Sequence, residues 1–114
     1  MVARPNFIEL PSKDIDAARL FYAGAFGWQL TGFGPSYACT MTGDVDIGLQ
    51  SDPAEVTAAP LAVIQVDDLE AAMLGVTTCG GRILKPIFGF PGGRRFHFAD
   101  PNGNELAVMA VEPA

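Results

Sequence analysis

Histidine, cysteine and basic charge are scarce in this chain, and each scarcity closes off a class of function. His97 is the single histidine among 114 residues. Neither a Ser–His–Asp order nor zinc-type Cys/His spacing is present. Cys39 and Cys79 stand alone, with no His or basic cluster beside either to lower a thiol pKa. Seven Lys and Arg against thirteen Asp and Glu give a net charge of −6. Nucleic acid and anionic membranes both call for a basic face, so neither is an expected partner. No apolar run approaches the roughly 20 residues that cross a bilayer. Met1 leads straight into Val2-Ala3-Arg4-Pro5 without an apolar signal core, so the expected compartment is a reducing cytoplasm with free thiols. The Gly89-Phe90-Pro91-Gly92-Gly93 run lacks the GK[ST] ending of a phosphate loop and is given no nucleotide role.

What remains is ordinary globular material, 49% hydrophobic and 18% charged. Its length predicts one domain over residues 1–114, able to bury roughly two-thirds of its unfolded surface. The main organising feature is a repeat. Shifting the sequence against itself by 54 positions sets Phe7 on Leu61, Asp14 on Asp68 and Ile15 on Leu69. Ala17, Ala18 and Leu20 then fall on Ala71, Ala72 and Leu74, and Gly27 and Leu30 on Gly81 and Leu84. In each copy an apolar run meets an acid, then a helix-period stretch, then glycine and a second apolar run. The pattern predicts two copies of one supersecondary unit, too few for a solenoid.

In chain order, the first strand is predicted at Phe7–Leu10 with Pro11 ending it. Ser12 or Asp14 opens the first helix, where free amides and the dipole favour oxygen and negative charge. Ile15, Ala18, Phe21, Tyr22 and Ala25 form a stripe expected to pack on the sheet, and Gly24 and Gly27 mark the helix end. Trp28-Gln29-Leu30 begins a second strand, Gly32–Pro35 turns, and Tyr37–Met41 and Val45–Leu49 make a hairpin. Gln50–Ala59 is a polar linker. Leu61–Val66 reads as a buried strand. Asp67 or Asp68 caps a helix whose Leu69, Ala72, Met73 and Val76 are spaced for burial, and Gly80-Gly81 stops it. Arg82–Leu84 is a strand before the Pro/Gly loop, and Arg95–Ala99 and Glu105–Ala110 flank the Asp100-Pro101-Asn102-Gly103-Asn104 turn. The count is eight strands and two helices in the order βαβββ, βαβββ, with module 1 at about 5–50 and module 2 at about 60–112.

With FIELPSKDIDAARLFY at the start, VDDLEAA in the middle and FADPNGNELAV at the end, the chain resembles the vicinal oxygen chelate superfamily: glyoxalase I, bleomycin resistance proteins and extradiol dioxygenases. The resemblance implies an α+β fold, two tandem βαβββ modules forming a curved, barrel-like mixed sheet with a shared cleft. It also implies a homodimer. In metal-dependent members, first- and last-strand side chains of each module hold a divalent ion. The matching positions here are Phe7, Leu61, Ala107 and Gly48, none able to ligate a metal through its side chain. A two-residue slip would offer only Glu9 and Glu105. No divalent metal or other cofactor is therefore expected.

Candidate site residues follow from strand alternation. Glu9 shares the face of Phe7, so it is either an acid–base group or cation anchor in the cleft, or a strand-end carboxylate paired with arginine. His97 is a general-base candidate, although alternation alone does not say which face of its strand holds it. Gln65 shares the face of Leu61 and Val63 and is placed to hydrogen-bond a ligand. Arg94 and Arg95, after the glycine loop, are placed to hold a carboxylate or phosphate, or to form a solvated hairpin arm. Trp28, Tyr37, Cys39 and Met41 are wall candidates or plain core. The expected ligand-binding set is Phe7, Leu61, Gln65, Arg95, Ala107 and Trp28, with Glu9 and His97 the catalytic candidates. The first reading is a metal-independent binder of a small organic molecule in an apolar cleft, antibiotic sequestration included. Its alternatives are a glyoxalase-type lyase or isomerase using Glu9 or His97, and a dimeric interaction protein with no ligand.

Overall fold

The structure, a computed structural model, describes residues 3–111; residues 1–2 and 112–114, at the ends of the expected domain, lie outside the described residues. The chain divides into two compact units. One runs from Phe7 to Leu61, and the other comprises Ala62 onward with the residues up to Asn6. The elements follow in the order β1 (Arg4–Pro11), α1 (Ile15–Phe26), β2 (Thr31–Gly32), β3 (Tyr37–Cys39) and β4 (Asp46–Gln50), then β5 (Leu61–Gln65), α2 (Leu69–Thr78), β6 (Arg82–Phe90), β7 (Gly93–Ala99) and β8 (Glu105–Val111). This is the expected α+β, twice-βαβββ arrangement. Strand order repeats as well. The first unit runs β2-β3-β4-β1 and the second β6-β7-β8-β5. In each, the first and last strands pair in parallel and the others pair antiparallel.

The duplication reaches the level of single hydrogen bonds. Asp14 caps α1 by accepting from the Ala17 amide at 3.0 Å, and Asp68 caps α2 by accepting from the Ala71 amide at 3.0 Å. Each satisfies a first-turn N–H that has no partner inside its helix. At the far end of α1, Gly27 adopts φ 69 and its N–H reaches the Ala23 carbonyl, a left-handed cap that favours glycine. Gly24, expected to help end this helix, lies inside it.

In the second unit α2 packs as its spacing predicts. Val66, Leu69, Phe96, Val108 and Ala110 form a buried cluster, with Ala72, Met73 and Val76 packed against it. The first unit departs from expectation. Ile15, Ala18 and Tyr22 are half-buried, but Phe21 and Ala25 are exposed, Phe21 by 61%. The aromatic groups here pack mainly on one another. Phe21 meets Tyr22 edge-on at 5.0 Å, and Tyr22 stacks on Trp28 at 5.3 Å. Residues 28–30 form no strand, and the Leu30 carbonyl accepts from Arg19 instead, at 2.9 Å.

Other boundaries move as well: β1 begins at Arg4 and β7 at Gly93. Pro11 belongs to β1, and β3 stops at Cys39. β6 continues to Phe90 instead of stopping at Leu84, and only Pro91-Gly92 remains as the turn into β7. Pro86 is tolerated because β6 is the outer strand of its four, and its pairing with β7 is broken between Lys85 and Phe88.

Candidate functional site

Each unit has a face that its helix covers and a face that it does not, and the polar candidates fall on the uncovered faces. In the second unit, Ile64, Phe96, Phe98, Val108 and Ala110 belong to the core around α2. Alternation then turns Val63, Gln65, Arg95, His97, Ala107 and Met109 the other way. Register aligns them in two rows across the strands: Val63, Ala107, His97, Lys85, and Gln65, Met109, Arg95, Phe88. This settles the face of His97, which alternation had left open.

His97 is 0% exposed. Its Nδ1 lies 2.8 Å from Glu105 Oε2, while Nε2 is buried with no hydrogen-bond partner among the described residues. Burial pushes its pKa below the ordinary histidine value. The Glu105 bond acts upward, and the Arg95 and Lys85 charges act downward again. A neutral ring whose Nδ1–H donates to the carboxylate satisfies these constraints and leaves Nε2 as a bare lone pair. Glu105, half-open with a side chain 32% exposed, is the solvent-facing member of the pair. Because no surface of His97 is open, direct contact with a substrate requires neighbouring side chains to move. The neighbours are known: Phe88 lies 5.8 Å from the imidazole, and the Arg95 guanidinium stands over the Phe88 and Phe90 rings at 5.3 and 5.7 Å. Gln65 accepts a hydrogen bond from the Asn6 side chain.

In the first unit the side of Gly32 that a Cβ would occupy faces Arg19 of α1, so its row-mates Ala38 and Leu49 face the helix too. Glu9, Gly48 and Cys39 form the neighbouring row on the opposite face. Glu9 is only 2% exposed and accepts a hydrogen bond from the Tyr37 hydroxyl at 3.2 Å. Tyr37 was singled out in the sequence only as a wall residue, and its spacing from Glu9 carried no signal of the pairing. Beside this row, Asp46 takes hydrogen bonds from Thr40, Thr42 and Gly43. Burial pushes its carboxyl upward, but those bonds outweigh it and hold the pKa low. Cys39 is pushed up, first by burial and then by the Asp46 charge, which makes it a poor nucleophile.

The other candidates are placed less centrally. Leu61 is 1% exposed and Ala107 fully buried, so both shape the sheet from within. Arg94 points to the α2 side and pairs with Glu70 at 2.7 Å. Trp28 stacks on Tyr22 and meets Phe26 at a tilt beside α1, away from the row that holds Glu9. For a divalent ion, Phe7, Gly48, Leu61 and Ala107 offer no side-chain oxygen, nitrogen or sulfur. Among the described residues no three His, Cys, Asp or Glu side chains are grouped to hold one. The residues present do not fit a metal at the positions the resemblance implies.

Comparison with known proteins agrees with this architecture. The profile of the Glyoxalase/Bleomycin resistance protein/Dioxygenase superfamily matches residues 4–108. A Mycobacterium bovis protein, CFP32, provisionally named a glyoxylase, is 31% identical over 115 residues, covering 91% of this chain and 44% of its own length. The chain thus spans under half of that relative. A glyoxylase-like domain-containing protein of Didymella fabae is 32% identical over 89% of this chain and 88% of its own. Among solved structures, hypothetical protein BH1468 from Bacillus halodurans superposes with a TM-score of 0.80 at 15% identity, covering 100% of this chain and 98% of that one. On the span of the profile match and the identity to these relatives, the chain belongs to the Glyoxalase/Bleomycin resistance protein/Dioxygenase superfamily.

Proposed function

We propose that this chain is a metal-independent member of its superfamily that binds a small organic molecule, antibiotic sequestration included, and that it works as a cytoplasmic homodimer. The observation that carries the reading is the donor set. Phe7, Gly48, Leu61 and Ala107 stand at the positions the resemblance assigns to metal ligands, and a hard or borderline cation needs oxygen or nitrogen there. Affinity for a ligand then comes from burying apolar surface, with a few polar groups fixing orientation. Glu9 with Tyr37, His97 with Glu105, and Gln65 are among the polar groups on the faces the helices leave uncovered, with Arg95 and Lys85 beside them. The test is elemental analysis and native mass spectrometry of protein purified without added metal. Metal-free protein carrying a co-purified organic molecule is expected, at twice the 12.0 kDa chain mass. A stoichiometric divalent ion that disappears in Glu9→Gln overturns the reading.

A second reading is favoured by the His97–Glu105 pair and by the glyoxylase names of both relatives. It is a lyase or isomerase in which a carboxylate or neutral imidazole takes a proton from carbon next to a carbonyl and returns it to the neighbouring atom. Glutathione hemithioacetals and related small carbonyl compounds are the assay substrates, with Glu9→Gln and His97→Gln as variants. Absence of turnover by the unaltered protein removes this reading for that substrate class.

A further inference from the structure

Nε2 of His97 is an acceptor sealed inside the second unit, with no donor among the described residues. A buried polar atom in that state forfeits a hydrogen bond and calls for a reason. Glu105 holds Nδ1 at 2.8 Å, which fixes the ring and keeps Nε2 where it is. The Phe88 ring lies beside the imidazole, 5.8 Å between centroids and inclined by 36°, and has no N–H or O–H to give. Phe88 is only half-buried, and its place on the sheet is irregular. β6 is the outer strand of its four, Pro86 lacks an N–H, and the β6–β7 register breaks between Lys85 and Phe88. A Cβ at the neighbouring Gly89 would meet nothing within 4 Å. The Phe88 side chain therefore has room to swing outward while the β7–β8 ladder that carries His97 stays paired.

We propose that Phe88 is a displaceable cover over His97 Nε2, and that the ligand of this unit is a small neutral aromatic molecule whose O–H or N–H donates to Nε2 while its ring replaces that of Phe88. The proposal rests on the metal-independent reading and deepens it by naming the ligand chemistry. Phe88 is the competitor such a ligand has to displace. Its ring supplies apolar contact and a face for the Arg95 guanidinium, 5.3 Å from the ring centroid. An aromatic ligand reproduces both, and Phe90, 5.7 Å from the same guanidinium, holds Arg95 in place during the exchange. What the ligand adds is the donor that Nε2 lacks. A ligand shifts an equilibrium only by its differential interaction with the two states, and here the difference is one hydrogen bond to a buried acceptor. A ring without a donor gains nothing over Phe88. A phenolic hydroxyl, with a pKa of about 10, keeps its proton beside a neutral imidazole, so no proton changes hands and no co-reactant is needed.

The test uses the full chain labelled with 15N and two probes, phenol and anisole, which share a ring but differ in the donor. His97 is the only histidine, so its Nε2 resonance is read without overlap. Phenol is expected to shift that resonance saturably, and anisole to bind roughly tenfold more weakly. Phe88→Ala removes the ring that has to be displaced and should tighten phenol roughly fivefold or more. Should Phe88→Ala fail to fold, the phenol–anisole difference at Nε2 of the unaltered chain still decides. Equal binding of the two probes, phenol binding that Phe88→Ala leaves unchanged or weakens, or no saturable shift at Nε2 overturns the proposal. Saturable shifts confined to the Cys39 and Gly48 amides overturn it too but leave metal-independent binding standing, whereas a stoichiometric metal in the purified protein removes that underlying reading.

Discussion

Acidification through the range where histidine ordinarily titrates interrogates one imidazole here, because His97 is the only one in the chain. The groups facing it are Glu105 from β8, Arg95 on its own strand, and Lys85 and Phe88 from β6. Burial and the two cations hold its folded pKa below the unfolded value near 6.5. The unfolded chain then binds more protons than the folded one as pH falls below about 6.5, so stability must drop with pH in that window. The loss stops once pH passes the folded pKa. For one proton the slope reaches at most about 1.4 kcal/mol per pH unit. At the urea sensitivities usual for small domains, this lowers the unfolding midpoint by roughly 0.5 to 1.4 M per pH unit. The assay is urea unfolding between about pH 7.5 and 5.5, a range in which ordinary carboxylates stay ionised, with His97→Gln as the non-titrating reference. Chemical shifts of the two imidazole nitrogens, read in parallel, should show a proton on Nδ1 and none on Nε2. A midpoint that stays flat or rises on acidification relative to His97→Gln, or a ring already protonated at neutral pH, refutes the reasoning.

Other expectations follow from packing and capping. A Cβ at Gly93 would run into the Ala110 carbonyl oxygen in the neighbouring strand, so Gly93→Ala should cost about 1–3 kcal/mol in denaturant unfolding. An unchanged midpoint would mean that the β7–β8 ladder shifts freely. Asp14→Ala and Asp68→Ala each remove a helix cap and should each cost about 1 kcal/mol by the same assay; matching values would express the duplication in energy. Cys79 is exposed and Cys39 buried with a raised pKa, so a disulfide reagent should titrate one thiol quickly in the native protein and the second only on unfolding. Two fast thiols would contradict the packing around Cys39.

What the sequence determined by itself is local and periodic. Asp14 and Asp68 cap the helices because a short carboxylate before an apolar-periodic run satisfies first-turn amides wherever the helix goes. The Asp100-to-Asn104 turn closes because Asp100 accepts from Asn102 and Asn104 within five residues. The 54-residue repeat announced two βαβββ units, and the burial of Leu69, Ala72, Met73 and Val76 was legible in their spacing. Tertiary structure decided whatever depends on which neighbour wins a group. Phe21 stays exposed because its stripe was wider than the surface available to it, and Trp28 goes to Tyr22 instead of joining Glu9. A two-residue period says that His97 opposes Phe96, but only the packing of α2 on Phe96 says which of them faces outward. The Glu9–Tyr37 pair was hidden for a similar reason: it spans 28 residues and depends on an absent side chain at Gly48, where a Cβ would collide with the Tyr37 hydroxyl. No local rule reports room made on one strand for a ring arriving from the next.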